Sequence, residues 1–445
     1  MLITELKKTM PIALPIIVGY LSNIALGITD TIMVGKLGAE SLAAVAFASS
    51  LFYIPMVFGF GMGTGFSPIV AYANGEKNPT MASKIFKNGF WIHAITGILI
   101  AASLLVISQY LHLFGQASNV ALLAQKYLWL VSFSAIFTMI YTVFNQFIQG
   151  FEYMRPALII GLSSIPCNIF FNWIFINGQL GCPKLGLEGA AWGTLITRFL
   201  MMTAMVGYVY GSKNFGTMAL FRLFEFKSFV DKTLAKRILK SGVPSGLQYV
   251  FESSAFSISA IMIGTIGSNE LAAHQIAINV ATITFMVTIG LAGASAIRIG
   301  NARGQKDTHQ IKAIGQSTLL ASIGFIVVCA AAMMLFDRQI AELFIRDEQV
   351  VKITITLLWL AALFQLSDAI QGISAGLLRG LEDVKVPTAY ILVAYWLMAL
   401  PMGYVLAFEF EMGVVGVWLG LTIGLTAAAV LLTHRFFKMA NLKNL

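Results

Sequence analysis

Three carboxylates stand where an apolar chain has least reason to place them. Asp30 lies in ALGITDTIMVG, Glu252 in QYVFESSAF and Asp368 in LFQLSDAIQG. On insertion scales an ionised Asp near the centre of a membrane helix costs about 2.5–3.5 kcal/mol, so each acid needs a partner, a water-filled cavity or a proton. The chemistry such groups suggest is reversible binding of a cation or a proton. The structural alternative is an acid held neutral or hydrogen-bonded to neighbours, such as Tyr249 and Ser253 beside Glu252. Asn168 and Asn172, in CNIFFNWIFI, are four residues apart and share a helix face. Turned inward, they can complete an oxygen cage with Asp30, a candidate Na+ site. Alternatively they tie helices together at about 0.6 kcal/mol per hydrogen bond.

Other groups carry less. Arg198, in GTLITRFLMM, is the one basic residue at depth, and it either pairs with an acid or reaches for the membrane edge, the second being preferred. His274, in AAHQIAIN, reads as a packing residue, and His93, His112, His309 and His434 have no metal-like spacing. Cys167, Cys182 and Cys329 are too scattered for a disulfide framework or a thiolate metal site, and small, mostly buried thiols are expected.

The elements that hold these residues are membrane helices. The chain is 58% hydrophobic and 11% charged, where a soluble domain carries about 25% charged residues, and its mean hydropathy is +0.81. Apolar runs of about 20 residues mark spans, and a β-barrel would need alternating ten-residue segments that are absent from the pattern. Twelve spans are predicted: 10–36, 42–71, 86–110, 121–150, 157–177, 188–211, 237–266, 271–300, 312–336, 350–379, 387–408 and 413–435. The opening MLITELKKTMPIALP runs straight into the first of them, without a small-residue cleavage site, and reads as a retained span. Of the 29 Lys and Arg, 22 fall on one side of this map and six on the other. The positive-inside rule makes the basic side cytoplasmic and places both termini there. The net charge of +9 is thus a topology signal and not a nucleic-acid footprint.

The halves repeat. GAESLAA at Gly38 matches GSNELAA at Gly267, ANGEKN at Ala73 matches ARGQKD at Ala302, and Pro15 matches Pro244, all at an offset of 229. An N-lobe over 1–220, a basic linker over 221–242 and a C-lobe over 243–445 follow. The linker interleaves its basic residues with Phe221, Phe224, Phe226 and Phe229, which suits either an interfacial helix or a solvated connector. Six spans per copy give both copies the same orientation, so the expected fold is all-α, two six-helix bundles related by a pseudo-twofold axis along the membrane normal. In the alignment Asp30 meets Ser259, Glu252 meets Asn23 and Asp368 meets Thr138, so each acid belongs to one half alone. Asn23 and Asp30 lie two turns apart, and a polar stripe turned inward is expected on both first helices of the halves.

No Walker loop, kinase signature, nucleophile elbow or HExxH motif occurs, so nucleotide-driven transport and enzymatic chemistry are not expected, and an ion gradient would supply the energy. The Met and Phe residues mostly face lipid or fill the bundle. A few in the cleft would suit soft recognition of varied apolar cations.

Through ALPIIVGYLSNIALGITDTIMVGKLGAESLAAVA and PIVAYANGEKN in the first half, and VPSGLQYVFESSAF, LAAHQIAINV, IRIGNARGQKD and LSDAIQGISAGLLRGLEDVKVP in the second, the chain resembles the multidrug and toxic compound extrusion (MATE) family, NorM-type branch. The resemblance covers nearly the whole length. It implies export of lipophilic organic cations, drugs or dyes, in exchange for Na+ or H+, from a multi-pass protein of the bacterial inner membrane. No cofactor beyond the coupling ion, no nucleic acid and no nucleotide is expected, and the protein is expected to be a monomer in lipid. Asp30 matches the first-span acid of the N-lobe cation site, and Asn168 and Asn172 match its span-five positions, although some relatives carry an acid at the second. Glu252 and Asp368 match the second-lobe acids that mark the branch, and Phe285 lies in the span-eight stretch facing the cleft. Asp30, Glu252, Phe285 and Asp368 are therefore the expected substrate contacts. Arg198 departs from the family's pattern, and its charge can bias the nearby cation site. A lipid-linked glycan flippase of the same broad superfamily is the alternative, but it would need several basic residues in its cleft. The topology has a direct check: a C-terminal fluorescent-protein fusion should fluoresce and a C-terminal alkaline-phosphatase fusion should be inactive, and the reverse pattern would invert the map.

Overall fold

The structure, a computed structural model, describes residues 2–212, 215 and 231–441. The linker phenylalanines 221, 224, 226 and 229 lie outside the described residues. Among those described there is no strand, and twelve segments are long and apolar enough to cross a membrane. They are α1 Leu2–Gly35, α2 Ala39–Gly75, α3 Pro79–Gln109, α4 Ser118–Gly150, α5 Arg155–Asn177 and α6 Leu187–Gly211. The second half supplies α7 Lys232–Ile266, α8 Ser268–Gly304, α9 Thr308–Leu335, α10 Glu348–Gly380, α11 Lys385–Glu409 and α12 Gly413–Ala440. Every predicted span is present. Helix ends run further than hydropathy suggests, most at the starts of α1 and α3, and at α1 the added polar turns find protein partners. Large apolar side chains such as Ile98, Leu99, Val327 and Val328 face outward, as lipid-facing positions should.

The duplication extends to backbone detail. Asn78 caps α3 by accepting from the Met81 N–H, and Asp307 caps α9 by accepting from the Gln310 N–H, 229 residues later. Just before each cap a lysine takes the left-handed conformation, Lys77 at φ 53° and Lys306 at φ 59°. The following N–H then bonds the carbonyl five residues back, Asn78 to Ala73 at 3.0 Å and Asp307 to Ala302 at 2.9 Å. This closes the preceding helix and opens the next within a few residues.

Packing divides the chain into two compact units, Val18–Gly246 and Met1–Ile17 with Leu247–Leu445. Both junctions fall inside helices, after Ile17 in α1 and after Gly246 in α7, again 229 residues apart. Units and sequence halves therefore differ at the helix ends. The first turns of α1 pack with the second half, where buried Arg298 of α8 donates to the Glu5 carbonyl at 2.8 Å and to Thr9 Oγ1 at 2.7 Å. The same guanidinium also pairs with the Glu5 carboxylate, which Lys8 approaches at 3.0 Å. Conversely, Ser241 of α7 packs with the first half and donates to the Gly65 carbonyl at 2.8 Å. That carbonyl lies where α2 breaks between Thr64 and Ser67, and a helix end buried there needs such a donor.

The core of the Val18–Gly246 unit is aromatic around Phe66, Phe86, Phe144 and Phe147. The other unit buries Tyr395, Phe364, Trp418 and Phe436 completely. Its α11 carries π-helical turns at Val393–Ala399 and Val405–Glu409 on either side of Pro401. Such widened turns re-satisfy carbonyls that a proline leaves without a donor. The small residues Gly416, Gly420 and Gly424 of α12 let it approach α11 backbone to backbone. The Glu5–Arg298 pair yields a stability prediction. Arg298→Met should destabilise the protein by about 3–5 kcal/mol by stranding a buried carboxylate, read as a lower melting temperature in detergent. The Glu5→Gln/Arg298→Met double variant should recover most of the loss.

Candidate functional site

Each compact unit contains one polar cluster built around the membrane acids. In the Val18–Gly246 unit, Asp30 of α1 meets Asn168 and Asn172 of α5, as their spacing suggested. Asn172 donates through Nδ2 to Asp30 Oδ1 at 2.6 Å and to Asn168 Oδ1 at 3.1 Å. Both asparagines are wholly buried. The pair thus ties α5 to α1, the helix-bonding role set out above. Thr194 of α6 donates its hydroxyl to Asp30 Oδ2 at 3.4 Å. Tyr127 of α4 stands beside Thr194 and within electrostatic reach of Asp30. Two polar atoms of the cluster, Asn168 Nδ2 and Asn172 Oδ1, have no protein partner among the described residues. A buried polar group left unpaired costs about 1–3 kcal/mol, and Asn168 stands close enough to act on Asp30 as well.

Arg198 does not reach for the membrane edge. Its guanidinium turns into the unit, donates to Ser134 Oγ at 2.7 Å, lies 4.8 Å from the Phe52 ring centroid and shares the electrostatic field of Asp30. Cation–π contact and a buried hydroxyl stabilise that position better than a snorkelled one would. Asn23 also departs from expectation. It is exposed and donates to the Gly19 carbonyl of its own helix, while Ser259, the counterpart of Asp30, is buried and bonds the Ala255 carbonyl. The polar stripe therefore narrows to the acids themselves.

In the other unit, Glu252 of α7 and Asp368 of α10 lie close enough for their charges to interact. Glu252 takes a hydrogen bond from Gln371, three residues beyond Asp368 on the same helix. Tyr249 and Ser253 are not its partners. The Tyr249 hydroxyl instead accepts from Arg379 at 3.1 Å, with the guanidinium 5.3 Å from the ring centroid, and Arg379 interacts electrostatically with Glu252. Tyr395, on the π-helical turn of α11, faces both carboxylates, and its ring packs 6.1 Å from that of Phe256. The Trp396 indole donates to the Phe251 carbonyl at 3.2 Å and fixes α11 beside the acid-bearing turn of α7. Unpartnered buried atoms gather here too: Asp368 Oδ1, Gln371 Oε1 and the Tyr395 hydroxyl. Phe285 of α8 covers Gly372, one turn from Asp368, where a Cβ would come within 3.2 Å of the ring.

The structure brings Asp30, Asn168 and Asn172 together in one unit and Glu252, Asp368 and Phe285 in the other, and sets beside them Tyr127, Thr194, Gln371, Arg379 and Tyr395, which the sequence did not single out as site residues. Of these only Gln371 had a visible signal, its three-residue spacing from Asp368. His274 is a packing residue, buried edge-on to Trp418 at 5.7 Å. His93 is buried and bonded to the Gly89 carbonyl at 2.8 Å. The three cysteines are unpaired and half-buried rather than mostly buried.

Comparison with known proteins places this geometry. The MatE family model matches residues 15–174 and 244–405, one match in each half. The chain is similar to a probable multidrug resistance protein NorM of Rhizobium meliloti, 32% identical over 98% of this chain and 94% of that protein. It is also similar to the corresponding protein of Acinetobacter baylyi, 34% identical over 98% of this chain and 96% of that one. The crystal structure of the eukaryotic MATE transporter AtDTX14 superposes with a TM-score of 0.87 at 22% identity, covering 100% of this chain and 99% of that chain. The packing of α6 on α5 supplies a test of the Asp30 cluster. A Cβ on Gly193 would overlap Asn172 Oδ1. Gly193→Ala should thus lower thermal stability by about 1–3 kcal/mol, with part of the loss recovered by adding Asn172→Ala.

Proposed function

The chain belongs to the MatE family, and from that membership we propose that it is a secondary active multidrug antiporter, exporting lipophilic organic cations across the bacterial inner membrane in exchange for Na+ or H+. Its relatives are named as multidrug resistance proteins, transporters and not enzymes. The observation that carries the coupling is the clustering, in each unit, of a membrane acid with buried polar atoms left without protein partners. Such a site is built to accept a cation or proton and to release it.

The cycle follows from differential affinity. In an outward-facing state the empty acids capture Na+ or H+, which favours a state of weaker drug binding. In an inward-facing state the ion leaves, the carboxylates regain their charge, and a lipophilic cation from the cytosol is held by Asp30, Glu252 or Asp368 with Phe285 as an apolar contact. Coupling requires only that ion and drug prefer different states, because a ligand shifts an equilibrium by its differential affinity. Rocking of one bundle against the other, expected of a duplicated six-helix chain, is the proposed motion. A Na+ ion would draw on Asp30, Asn168 and Asn172, the second of these amides turning its free oxygen toward the acid. A proton needs only a carboxylate whose affinity is raised by burial. Against a glycan flippase stands the engagement of the arginines beside the acid clusters: Arg198 bonds Ser134 and packs on Phe52, and Arg379 bonds Tyr249.

Neutralising the acids tests the reading. Loss of one charge-assisted contact, about 1.5–3 kcal/mol, should slow ethidium efflux roughly tenfold or more in Asp30→Asn, Glu252→Gln or Asp368→Asn cells. Wild-type efflux in all three at normal expression would overturn the proposal. Proteoliposomes given a Na+ gradient or a pH gradient separately would identify the coupling ion.

A further inference from the structure

Arg198 is a cation that the cycle above does not use, placed in the field of an acid that it does. Its position is built and not incidental. Thr194 and Arg198 are one turn apart on α6, so they share a face, and Thr194 touches Asp30. Tyr127 and Ser134, two turns apart on α4, face them in turn, with Tyr127 beside Thr194 and Ser134 accepting from the guanidinium at 2.7 Å. Phe52 of α2 supplies a ring at 4.8 Å from the other direction. Ser134 is completely buried and Phe52 nearly so. Three helices thus hold one positive charge near Asp30.

The charge count of the two clusters differs accordingly. Around Asp30 one carboxylate is matched by one guanidinium, and the remaining groups, Asn168, Asn172, Thr194 and Tyr127, are neutral. Around Glu252 and Asp368, among the described residues, two carboxylates stand together and the guanidinium of Arg379 interacts with the first of them. A cation arriving at the first cluster enters a site already balanced, whereas one arriving at the second meets a surplus of negative charge.

We propose that Arg198 is a tethered counter-cation for Asp30, which competes with transported cations for that carboxylate and so sets the affinity of the Val18–Gly246 cluster for monovalent cations. The inference rests on the export reading only in taking Asp30 as the acceptor. Its physical content is separate: the guanidinium occupies the field that a transported cation would otherwise fill, and the site admits that cation at the cost of sharing the field. Removing the charge should tighten the site. Lysine should preserve the competition even though it loses the planar contact with Phe52.

The experiment uses the full chain in lipid nanodiscs, in a Glu252→Gln/Asp368→Asn background that leaves Asp30 as the cation acceptor. Ethidium binding is followed by fluorescence anisotropy, and Na+ by its displacement of ethidium. Arg198→Gln and Arg198→Met should each raise ethidium affinity about tenfold or more, the scale expected for removing one interacting unit charge in a partly screened interior. Arg198→Lys should stay within about threefold of the arginine parent, and the gain should vanish when Asp30→Asn is added. Unchanged affinity in both neutral variants, or a gain that survives Asp30→Asn, overturns the inference. A wild-type chain that neither binds nor exports ethidium would overturn the export reading instead. Direct Na+ titration of the same variants would then report the effect of Arg198 alone.

Discussion

A carboxylate can stay inside an apolar helix bundle only if other groups replace the water it gave up. That demand organises both units of this protein. Asp30 draws Asn172 and Thr194 from two further helices, and with them come Asn168, Tyr127 and Arg198. Glu252 and Asp368 draw Gln371, Tyr395 and Arg379. Helix positions that pure apolar packing would leave free to slide are fixed by these polar contacts. Neither cluster is closed, however, since each retains buried polar atoms without protein partners. A set of groups sufficient to hold the acid and insufficient to satisfy every atom is what a reversible ligand site needs.

Duplication explains the frame and divergence explains the sites. Caps, left-handed lysines and unit junctions recur at one offset because they serve the shared backbone. The acids do not recur, so neither half can be replaced by a copy of the other. The first half has one acid with its charge balanced, and the second, among the described residues, has two with one arginine interacting with the first of them.

Much of this was legible in the residues. Twelve spans stood out because an apolar run of 20 residues has few alternative uses, and three acids stood out because so few charges lie within those runs. Phe285 was legible only through family resemblance. The partners were harder to see. Thr194 and Tyr127 look like ordinary helix residues until folding brings them to Asp30, and the two hydrogen-bonding partners of that acid lie 142 and 164 residues away in the chain. Arg198 misled because a basic residue in a long helix has an inexpensive escape to the interface, and only the positions of Ser134 and Phe52 reveal why it stays. The extra turns of α1 were hidden for a similar reason. At α1 the added polar residues look solvated in one dimension, yet Glu5 and Thr9 are buried against Arg298, far along the chain.

The exchange of helix ends between the units has a bearing on how the protein is made. Residues 232–246 belong to the unit that begins at Val18, so that unit lacks a piece until more than half of the chain has been synthesised. Glu5 emerges among the first residues and waits for Arg298, 293 positions later. The Val18–Gly246 unit is contiguous and complete once residue 246 is made, whereas the unit that joins Met1–Ile17 to Leu247–Leu445 must wait, because long-range pairing of this kind comes late and leaves its partners exposed meanwhile. A chain that ended before Arg298 would thus leave Glu5 without the guanidinium that pairs with it.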